Sequence, residues 1–273
     1  MATYRLLALD MDGTVLTSDK HVSPRTREAL SALSTQGVAL ALATGRNVVE
    51  LSEYREELSF VPYGVLASGA IAYDFAHREA LLSSPIPTDA VLTAVGIALS
   101  EGGIPFLSCV DGTRARCADV VRLDECGLHG YRMMYEQIYD QVDDLALWVS
   151  AHPHDVVKLD IYHPQDEGCL RIRDRIVASD APVEVWSSEP GCMECTALGV
   201  NKAVGLQALA KRLGISMDEV VAVGDGGNDL AMLKAVGMPV AMGNASRDVC
   251  DVARLVVADN DHDGIVELVD RLF

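Results

Sequence analysis

The stretch that decides the fold is residues 5–14, Arg-Leu-Leu-Ala-Leu-Asp-Met-Asp-Gly-Thr, in which an apolar run ends at two aspartates. The run predicts a buried strand over Arg5–Asp10. Residues two apart lie on the same face of a strand, so a strand continued through Asp12 would bring two like charges together. That arrangement is unfavourable unless a cation lies between the carboxylates or one of them keeps its proton. The pattern therefore indicates a metal site, a proton-transfer site, or both.

The same pattern, an apolar strand that ends in polar residues, occurs twice more. Val38–Ala43 is fully apolar and leads into Thr44 and Gly45. Val220–Val223 is also apolar and leads into Gly224-Asp225-Gly-Gly-Asn228-Asp229. Each of these segments predicts a buried strand with polar side chains gathered at its carboxyl end.

Helical patterns separate these strands. Ser23-Pro24 is typical of a helix N-terminus, a second helix is predicted from Arg46 to about Leu58, and Asn201–Leu213 predicts another. Apolar strands that alternate with helices predict an α/β fold with a Rossmann-like parallel sheet covered on both faces. In such sheets, ligands bind beyond the carboxyl ends of the strands.

The middle of the chain differs from the two ends in its proline content and in the polarity of its predicted strands. Prolines interrupt it, and its predicted strands mix polar with apolar residues: Ile104–Val110, Val156–Tyr162 and Val183–Ser187. Strands with a wet face favour an antiparallel sheet with helices on one side. We therefore predict a catalytic core formed by residues 1–81 and 189–273, and an inserted α+β domain, or cap, formed by residues 82–188.

Composition and charge limit the classes of function. The chain has 273 residues, 49% of them hydrophobic, which is enough for one large domain or two modest ones. Its net charge of −18 argues against a nucleic-acid or anionic-membrane partner. The sequence contains no apolar stretch of the ~20 residues that a membrane-spanning helix needs, and it begins without a signal-peptide pattern. We expect a cytoplasmic protein; its oligomeric state is not predicted.

Two of the three strand ends bring four carboxylates, those of Asp10, Asp12, Asp225 and Asp229, to one edge of the predicted sheet. Carboxylate oxygens suit a hard divalent cation, and Mg²⁺ commonly pairs with substrate phosphates. A hydroxyl at Thr44, N–H groups at helix starts and a lysine would supply donors to phosphate oxygens. The residues therefore point to metal-assisted phosphate chemistry.

Four motifs in this order resemble the haloacid dehalogenase-like superfamily and, within it, the Cof-type phosphatases with a large α/β cap. Asp10-Met-Asp12-Gly-Thr14 is similar to the nucleophile motif of the family, and Thr44-Gly45-Arg46 to its second motif. Gly199-Val-Asn-Lys202 is similar to its lysine motif, and residues 224–229 to its acidic motif. One departure is Ala67-Ser68-Gly69-Ala70, where these phosphatases commonly have Ser-Asn-Gly-Ala.

The resemblance implies a Mg²⁺-dependent phosphatase that hydrolyses a small phosphorylated metabolite through an aspartyl-phosphate. A sugar phosphate is the favoured substrate, with pyridoxal phosphate or a flavin-precursor phosphate as alternatives. Asp10 would be the nucleophile, and Asp12 would protonate the leaving group and then activate water. Mg²⁺ would be held by Asp10, by the backbone carbonyl of Asp12 and by Asp225, with Asp229 in support.

The resemblance also implies a set of phosphate contacts. Lys202 would neutralise charge on both the nucleophile and the phosphate, so Thr44 and Lys202 count as catalytic residues together with the two aspartates of the first motif. The phosphate-binding set would be Met11, Thr44, Gly45, Lys202 and Asn228. Spacing does not decide which residues of the cap contact the leaving group; the candidates are Cys109, Arg114, Arg116, Arg132, Tyr135 and Lys158.

Two other functions stay open at this point. A phosphotransferase or mutase of the same superfamily would use the same four motifs. Mutases there tend to carry a smaller helical cap after the first motif, whereas only about ten residues separate Asp12 from the first predicted helix. A non-enzymatic phospho-acceptor switch also uses an acidic cluster, a threonine and a lysine, but such domains are about half this length and lack an inserted domain.

Overall fold

A computed structural model describes residues 4–128, 132–189 and 191–273 of the chain. The chain divides into two compact units. The first comprises the described residues of Met1–Gly45, Ser52–Leu82 and Asn201–Phe273, and the second comprises those of Arg46–Leu51 and Ser83–Val200.

Strands and helices alternate along much of the described chain. The strands are β1 (Leu6–Leu9), β2 (Ala39–Ala43), β3 (Tyr63–Leu66), β4 (Ile71–Asp74), β5 (Glu79–Ser83), β6 (Ile104–Cys109), β7 (Gly112–Arg116), β8 (Asp140–Val142), β9 (Val156–Tyr162), β10 (Val183–Glu189), β11 (Cys192–Ala197), β12 (Val220–Gly224), β13 (Met238–Ala241) and β14 (Leu255–Val256). The helices are α1 (Pro24–Thr35), α2 (Thr88–Ser100), α3 (Cys117–Val120), α4 (Arg132–Ile138), α5 (Leu145–Ala151), α6 (Asp166–Ala178), α7 (Lys202–Leu213), α8 (Leu230–Ala235), α9 (Arg247–Val252) and α10 (Gly264–Leu272).

The first unit is built on an eight-stranded sheet with the strand order β14-β13-β12-β1-β2-β3-β4-β5. Neighbouring strands are parallel from β14 through β3, and β4 pairs antiparallel with β3. Every residue of β1 is fully buried, so both faces of the sheet are covered there. The predicted α/β class with a parallel-sheet core is confirmed.

The second unit contains a six-stranded sheet with the order β10-β11-β9-β6-β7-β8. Its pairs are antiparallel, except that β7 and β8 run parallel. Apolar residues of α2, α5 and α6 form one core with one face of the sheet. On the other face, Phe106 of β6 stacks on Tyr135 of α4 with ring centroids 5.1 Å apart. The prediction of helices on one side of this sheet is therefore incomplete.

One predicted domain boundary and one predicted helix differ from the structure. The boundary at residue 188 assigns Cys192–Ala197 to the core, whereas this strand pairs with β9 and β10 in the second sheet. The helix predicted from Arg46 to Leu58 is wrong, because the only helical turn described there is a 3-10 turn at Ser52–Tyr54. Its first part instead joins the second unit, where Tyr139 donates a hydrogen bond to Glu50.

Helix α1 begins where the sequence predicts, and α7 both begins and ends there. The side chain of Ser23 accepts the N–H of Thr26 at the start of α1. Asn201 caps α7 by accepting the N–H of Ala203, and Gly214 ends that helix in a left-handed conformation. Across the described residues, we find no helix that is both long and apolar enough to cross a bilayer.

Candidate active site

The site begins where β1 and β12 end. These parallel strands are neighbours, with Leu9 opposite Val223, so the residues that follow them emerge side by side. The N–H of Asp10 donates to the carbonyl of Val223 at 3.1 Å and fixes the backbone at this point. Strand pairing alone therefore brings the first motif and the acidic motif to one sheet edge.

Three of the four predicted carboxylates form a cluster. One oxygen from each of Asp10, Asp225 and Asp229 lies within 4.8 Å of the corresponding oxygens of the other two. Asp10 and Asp229 are buried, and Asp225 is half-buried. Like charges at this separation repel each other, so the cluster needs a compensating cation or a bound proton.

Lys202 supplies one such cation. It is the first residue of α7, and its side chain is 1% exposed. Its Nζ donates to Asp10 Oδ1 at 2.6 Å and to Asp229 Oδ1 at 2.7 Å. The predicted lysine is thus joined directly to the predicted nucleophile.

Asp229 holds the acidic motif in its folded shape. Its Oδ1 accepts a hydrogen bond from Lys202 Nζ, and its Oδ2 accepts the N–H groups of Asp225 and Gly226, each at 3.1 Å. Gly224 leaves room for this arrangement, because a Cβ there would collide with the Asp229 carboxylate. Both oxygens of Asp229 are therefore engaged by the protein, which suits a supporting role.

The charges in the cluster shift one another. Burial and the charge of Asp229 raise the pKa of Asp10 to about 8, although Lys202 opposes this rise. Burial and the charge of Asp229 also raise the pKa of Asp225. Burial disfavours the charged form of Lys202, but the carboxylates of Asp10 and Asp229 outweigh it and raise the lysine pKa. When all three carboxylates are ionised, the single ammonium of Lys202 leaves the cluster with an excess of negative charge.

Three residues around Asp225 were not predicted as part of the site. Thr14 Oγ1 donates to Asp225 Oδ1 at 3.2 Å. Asn244 Nδ2 donates to the carbonyl of Gly13 at 2.9 Å and lies 3.4 Å from Asp225 Oδ2. Gly13 has φ +82°, and a Cβ on it would lie 2.5 Å from Asp225 Oδ2. Asn244 follows the end of β13, so the strand-end rule could have found it.

Asp12 is placed differently from the other aspartates. Its carboxylate is not part of the three-aspartate cluster, and its Oδ1 lies 2.7 Å from Lys20 Nζ in a partly exposed ion pair. The backbone of Asp12 still follows Asp10 directly through Met11. The sequence places Asp12 correctly along the chain but does not predict its lysine partner.

The remaining predicted phosphate contacts lie at the same strand ends. The N–H of Thr44 donates to Val65, and its carbonyl accepts the N–H of Ser68 at 3.1 Å. Gly45 follows Thr44 and is half-buried. Asn228 is exposed in the one-turn 3-10 helix Gly227–Asp229, and Met11 is buried in the turn after β1. The structure records no phosphate group, so these contacts stay predictions.

The donor set of the cluster suits a hard cation. The carboxylates of Asp10 and Asp225 face one another across 4.8 Å or less, and both have raised pKa values that a bound cation would lower. Cysteine and histidine do not take part in the cluster. An all-oxygen donor set with excess negative charge fits Mg²⁺ rather than a thiolate-seeking metal.

The candidate residues of the second unit separate into two groups. Lys158 is buried, with Asp160 Oδ1 at 2.8 Å and Glu194 Oε2 at 3.5 Å. Cys109 belongs to the apolar core beneath α2, and Tyr135 is buried against Phe106. The three arginines form ion pairs within their own unit: Arg114 with Asp111 and Asp140, Arg116 with Asp119, and Arg132 with Asp124.

Comparison with known proteins identifies the family. The model of the haloacid dehalogenase-like hydrolases matches residues 7–269, which is nearly the whole chain. The chain therefore belongs to this family, as its motifs predicted.

Its relatives include named phosphatases. The chain is 29% identical over 277 residues to the pyridoxal phosphate phosphatase YbhA of Escherichia coli (strain K12), covering 98% of each chain. It is 29% identical over 280 residues to the 5-amino-6-(5-phospho-D-ribitylamino)uracil phosphatase YitU of Bacillus subtilis (strain 168), covering 98% of this chain and 97% of the relative. The predicted class, a phosphoric monoester hydrolase, is that of these relatives.

The fold is also shared over its full length. A haloacid dehalogenase-like hydrolase from Bacteroides thetaiotaomicron superposes with a TM-score of 0.86 at 26% identity, covering 99% of this chain and 100% of the other. The fold of this chain is thus similar to that of a known hydrolase structure.

Proposed function

We propose that the protein is a Mg²⁺-dependent phosphatase that hydrolyses a small phosphorylated metabolite through an aspartyl-phosphate on Asp10. The observation that carries this proposal is the direct bonding of Lys202 to Asp10 and Asp229, next to Asp225 at the end of β12. Family membership and relatives that are named phosphatases support the same chemistry.

Asp10 is the proposed nucleophile. Its Oδ1 is bonded to Lys202, and its carboxylate has a second oxygen with which to attack phosphorus. In the first step, that oxygen bonds to phosphorus while the bond from phosphorus to the leaving oxygen breaks. In the second step, water attacks the same phosphorus, the bond to Asp10 breaks, and inorganic phosphate leaves.

Asp12 is the proposed proton carrier. It gives a proton to the leaving oxygen in the first step and takes one from the attacking water in the second. Its partly exposed side chain can exchange protons with solvent, unlike the buried carboxylate of Asp229. Lys202 stays protonated throughout and offsets negative charge on Asp10 and on the phosphoryl group.

Mg²⁺ would be held by the carboxylates of Asp10 and Asp225 and by the backbone carbonyl of Asp12, with Asp229 supporting the site through Lys202 and the turn at residues 225–226. When bound, the ion supplies positive charge to a phosphoryl oxygen. Thr14 and Asn244 orient the Asp225 carboxylate for this purpose. Thr44, Asn228 and the N–H groups of Met11 and Gly45 are the proposed contacts for the other phosphate oxygens.

The substrate is proposed to be a small metabolite, with sugar phosphates and the phosphates named in its relatives as the first candidates. We propose that the second unit selects the leaving group. Within that unit, Lys158 forms buried ion pairs with Asp160 and Glu194. A phosphotransferase or mutase of the same family would share the first step, and formation of inorganic phosphate distinguishes the hydrolase.

Two variants test the roles of the first motif. Asp10→Asn removes the attacking oxygen and should abolish phosphoenzyme formation from any substrate. Asp12→Asn keeps the shape and the backbone carbonyl but loses the transferable proton. It should slow phosphoenzyme formation from a sugar phosphate by the ~10²–10⁴ that general acid catalysis supplies. It should slow formation from p-nitrophenyl phosphate much less, because p-nitrophenolate departs without a proton.

Rapid-quench phosphorylation of each variant with both substrates is the measurement. Equal slowing of both substrates by Asp12→Asn would contradict the general-acid role. Chelation with EDTA should abolish turnover, and Mg²⁺ should restore it better than the larger Ca²⁺. Asp225→Ala should reduce Mg²⁺-dependent activity far more than the matched change Asp259→Ala, at a half-buried aspartate of the loop before α10. Comparable losses would place the metal elsewhere.

A further inference from the structure

Lys20 lies outside the four motifs but forms an ion pair with Asp12 of the first motif. Its ammonium lies 2.7 Å from Oδ1 of Asp12, and both side chains are partly exposed, at 49% and 41%. Exposed ion pairs contribute little to stability, because water screens the charges and both side chains lose freedom. Stability alone therefore gives little reason for this contact.

The backbone of Lys20 is also unusual. Its φ is +61°, a left-handed conformation that disfavours residues with a Cβ and is usually filled by glycine or asparagine. A lysine in this conformation destabilises the turn relative to glycine. Strained residues of this kind concentrate at functional sites, where the surrounding structure holds them in place.

The surrounding structure holds this turn from two sides. The Ser18 backbone N–H and hydroxyl donate to the two carboxylate oxygens of Asp261, at 2.8 and 2.6 Å. On the other side, the hydroxyl of Tyr54 donates to the carbonyl of Lys20 at 3.3 Å. Within the turn, the N–H of Lys20 donates to Thr17 at 2.9 Å. A loop near the C-terminus and the segment after β2 thus fix the backbone that carries the ammonium.

We propose that Lys20 is a positioning residue for Asp12, and that it holds the Asp12 carboxylate in the orientation from which it transfers protons. The inference rests on the proposed function of Asp12. A carboxylate that is two-fifths exposed has several rotamers available, and an ion pair with a fixed partner reduces that number. Proton transfer needs the donor and acceptor atoms within hydrogen-bond distance, so a misplaced carboxylate loses rate.

The test separates this role from a merely structural one. Lys20→Met keeps the length and the left-handed backbone of lysine but removes the charge, whereas Lys20→Arg keeps a cation. Lys234→Met, at an exposed lysine of α8, is the matched control. Because p-nitrophenolate leaves without a proton, p-nitrophenyl [³²P]phosphate loads Asp10 in every one of these proteins.

Rapid-quench decay of the phosphoenzyme in Mg²⁺ is the readout. Lys20→Met should slow the decay by about 10- to 100-fold, the loss that follows when a reacting group is displaced by about 1 Å. Lys20→Arg should recover most of the rate, and Lys234→Met should match the wild type. Melting temperatures of Lys20→Met and the wild type should agree within about 2 °C, because exposed ion pairs contribute little to stability.

A double variant shows whether Lys20 acts through Asp12. In the Asp12→Asn background, Lys20→Met should cause no further slowing, because the group that it positions is already lost. Additive slowing in the double variant, or wild-type decay in Lys20→Met, overturns the inference while the proposed function stands. Wild-type decay in Asp12→Asn alone refutes the proposed role of Asp12 and the inference with it.

Discussion

Replacing Lys202 by methionine should destabilise the protein far more than an ordinary lysine substitution. The side chain is 1% exposed, and its Nζ bonds to two buried carboxylates, those of Asp10 and Asp229. Methionine fills a similar volume but leaves both carboxylates buried without their cation. Removing one partner of a buried ion pair costs about 3–5 kcal/mol. At about 2–4 °C per kcal/mol, Tm should fall by about 6–20 °C.

The loss should grow as pH rises. The pKa of Asp10 is raised to about 8, so the folded protein binds a proton there that the unfolded chain releases at lower pH. A raised carboxyl pKa means that this contribution to stability is present at low pH and is lost as pH rises toward 8. Without Lys202 the carboxylates are harder still to ionise, so the difference from wild type should be larger at pH 8.5 than at pH 5.5.

Calorimetry and urea unfolding in EDTA at both pH values measure this effect without interference from a bound cation. Lys211→Met, at an exposed position of the same helix, is the control and should cost no more than about 1 kcal/mol. Adding Asp229→Asn to Lys202→Met should recover part of the loss by removing one uncompensated charge. A loss equal to that of Lys211→Met, or one that shrinks as pH rises, would refute the reasoning.

Three further perturbations test other contacts. Gly13→Ala should weaken the Mg²⁺ dependence of activity, because the added Cβ would press on the Asp225 carboxylate. The control is Gly37→Ala, where φ is a similar +90° but the space around the residue is open, so only the melting temperature should change. Ser68→Asn should raise the free energy of unfolding in urea by about 0.5 kcal/mol, because Ser68 has φ +57° and asparagine tolerates this conformation better; a lower value would mean that the buried site cannot hold the larger side chain. Lys158→Met should lower Tm more at pH 8.5 than at pH 5.5. Burial raises the pKa of the neighbouring Asp160 to about 7, so this carboxyl is ionised and needs the lysine only at the higher pH. A Tm loss that does not depend on pH would contradict this pairing.

The parallel sheet and the cluster at its edge could be predicted because they depend on local patterns. The apolar runs before Asp10, Thr44 and Asp225 mark buried strands, and parallel pairing brings their ends together without any knowledge of side-chain packing. The N-terminus of α7, with Asn201 as its capping residue and Lys202 as its first residue, can likewise be predicted from the adjacent sequence. In each case, a short segment contains the information that decides the structure.

The parts that could not be predicted depend on contacts between distant segments. The predicted helix after Arg46 does not form, because Asn47 and Glu50 belong to the second unit and are bonded there to Thr113 and Tyr139. Residues 192–197 alternate like a strand, but nothing in them says which sheet they join until β9 and β10 lie beside them. A position that satisfies helix propensity locally can still be decided by partners far along the chain.

Asp12 shows where this limit falls within a single motif. Its place two residues after Asp10 fixes its backbone next to the aspartate cluster, and the sequence suffices for that. The direction of its carboxylate depends on Lys20, whose turn is held by Asp261 and Tyr54, residues that lie far from the motif in sequence. Strand ends thus determine which residues meet at the site, whereas long-range hydrogen bonds determine the orientation of each side chain. The rate of proton transfer is sensitive to this orientation. Differences in activity among proteins that share all four motifs should therefore arise from residues outside the motifs, such as Lys20.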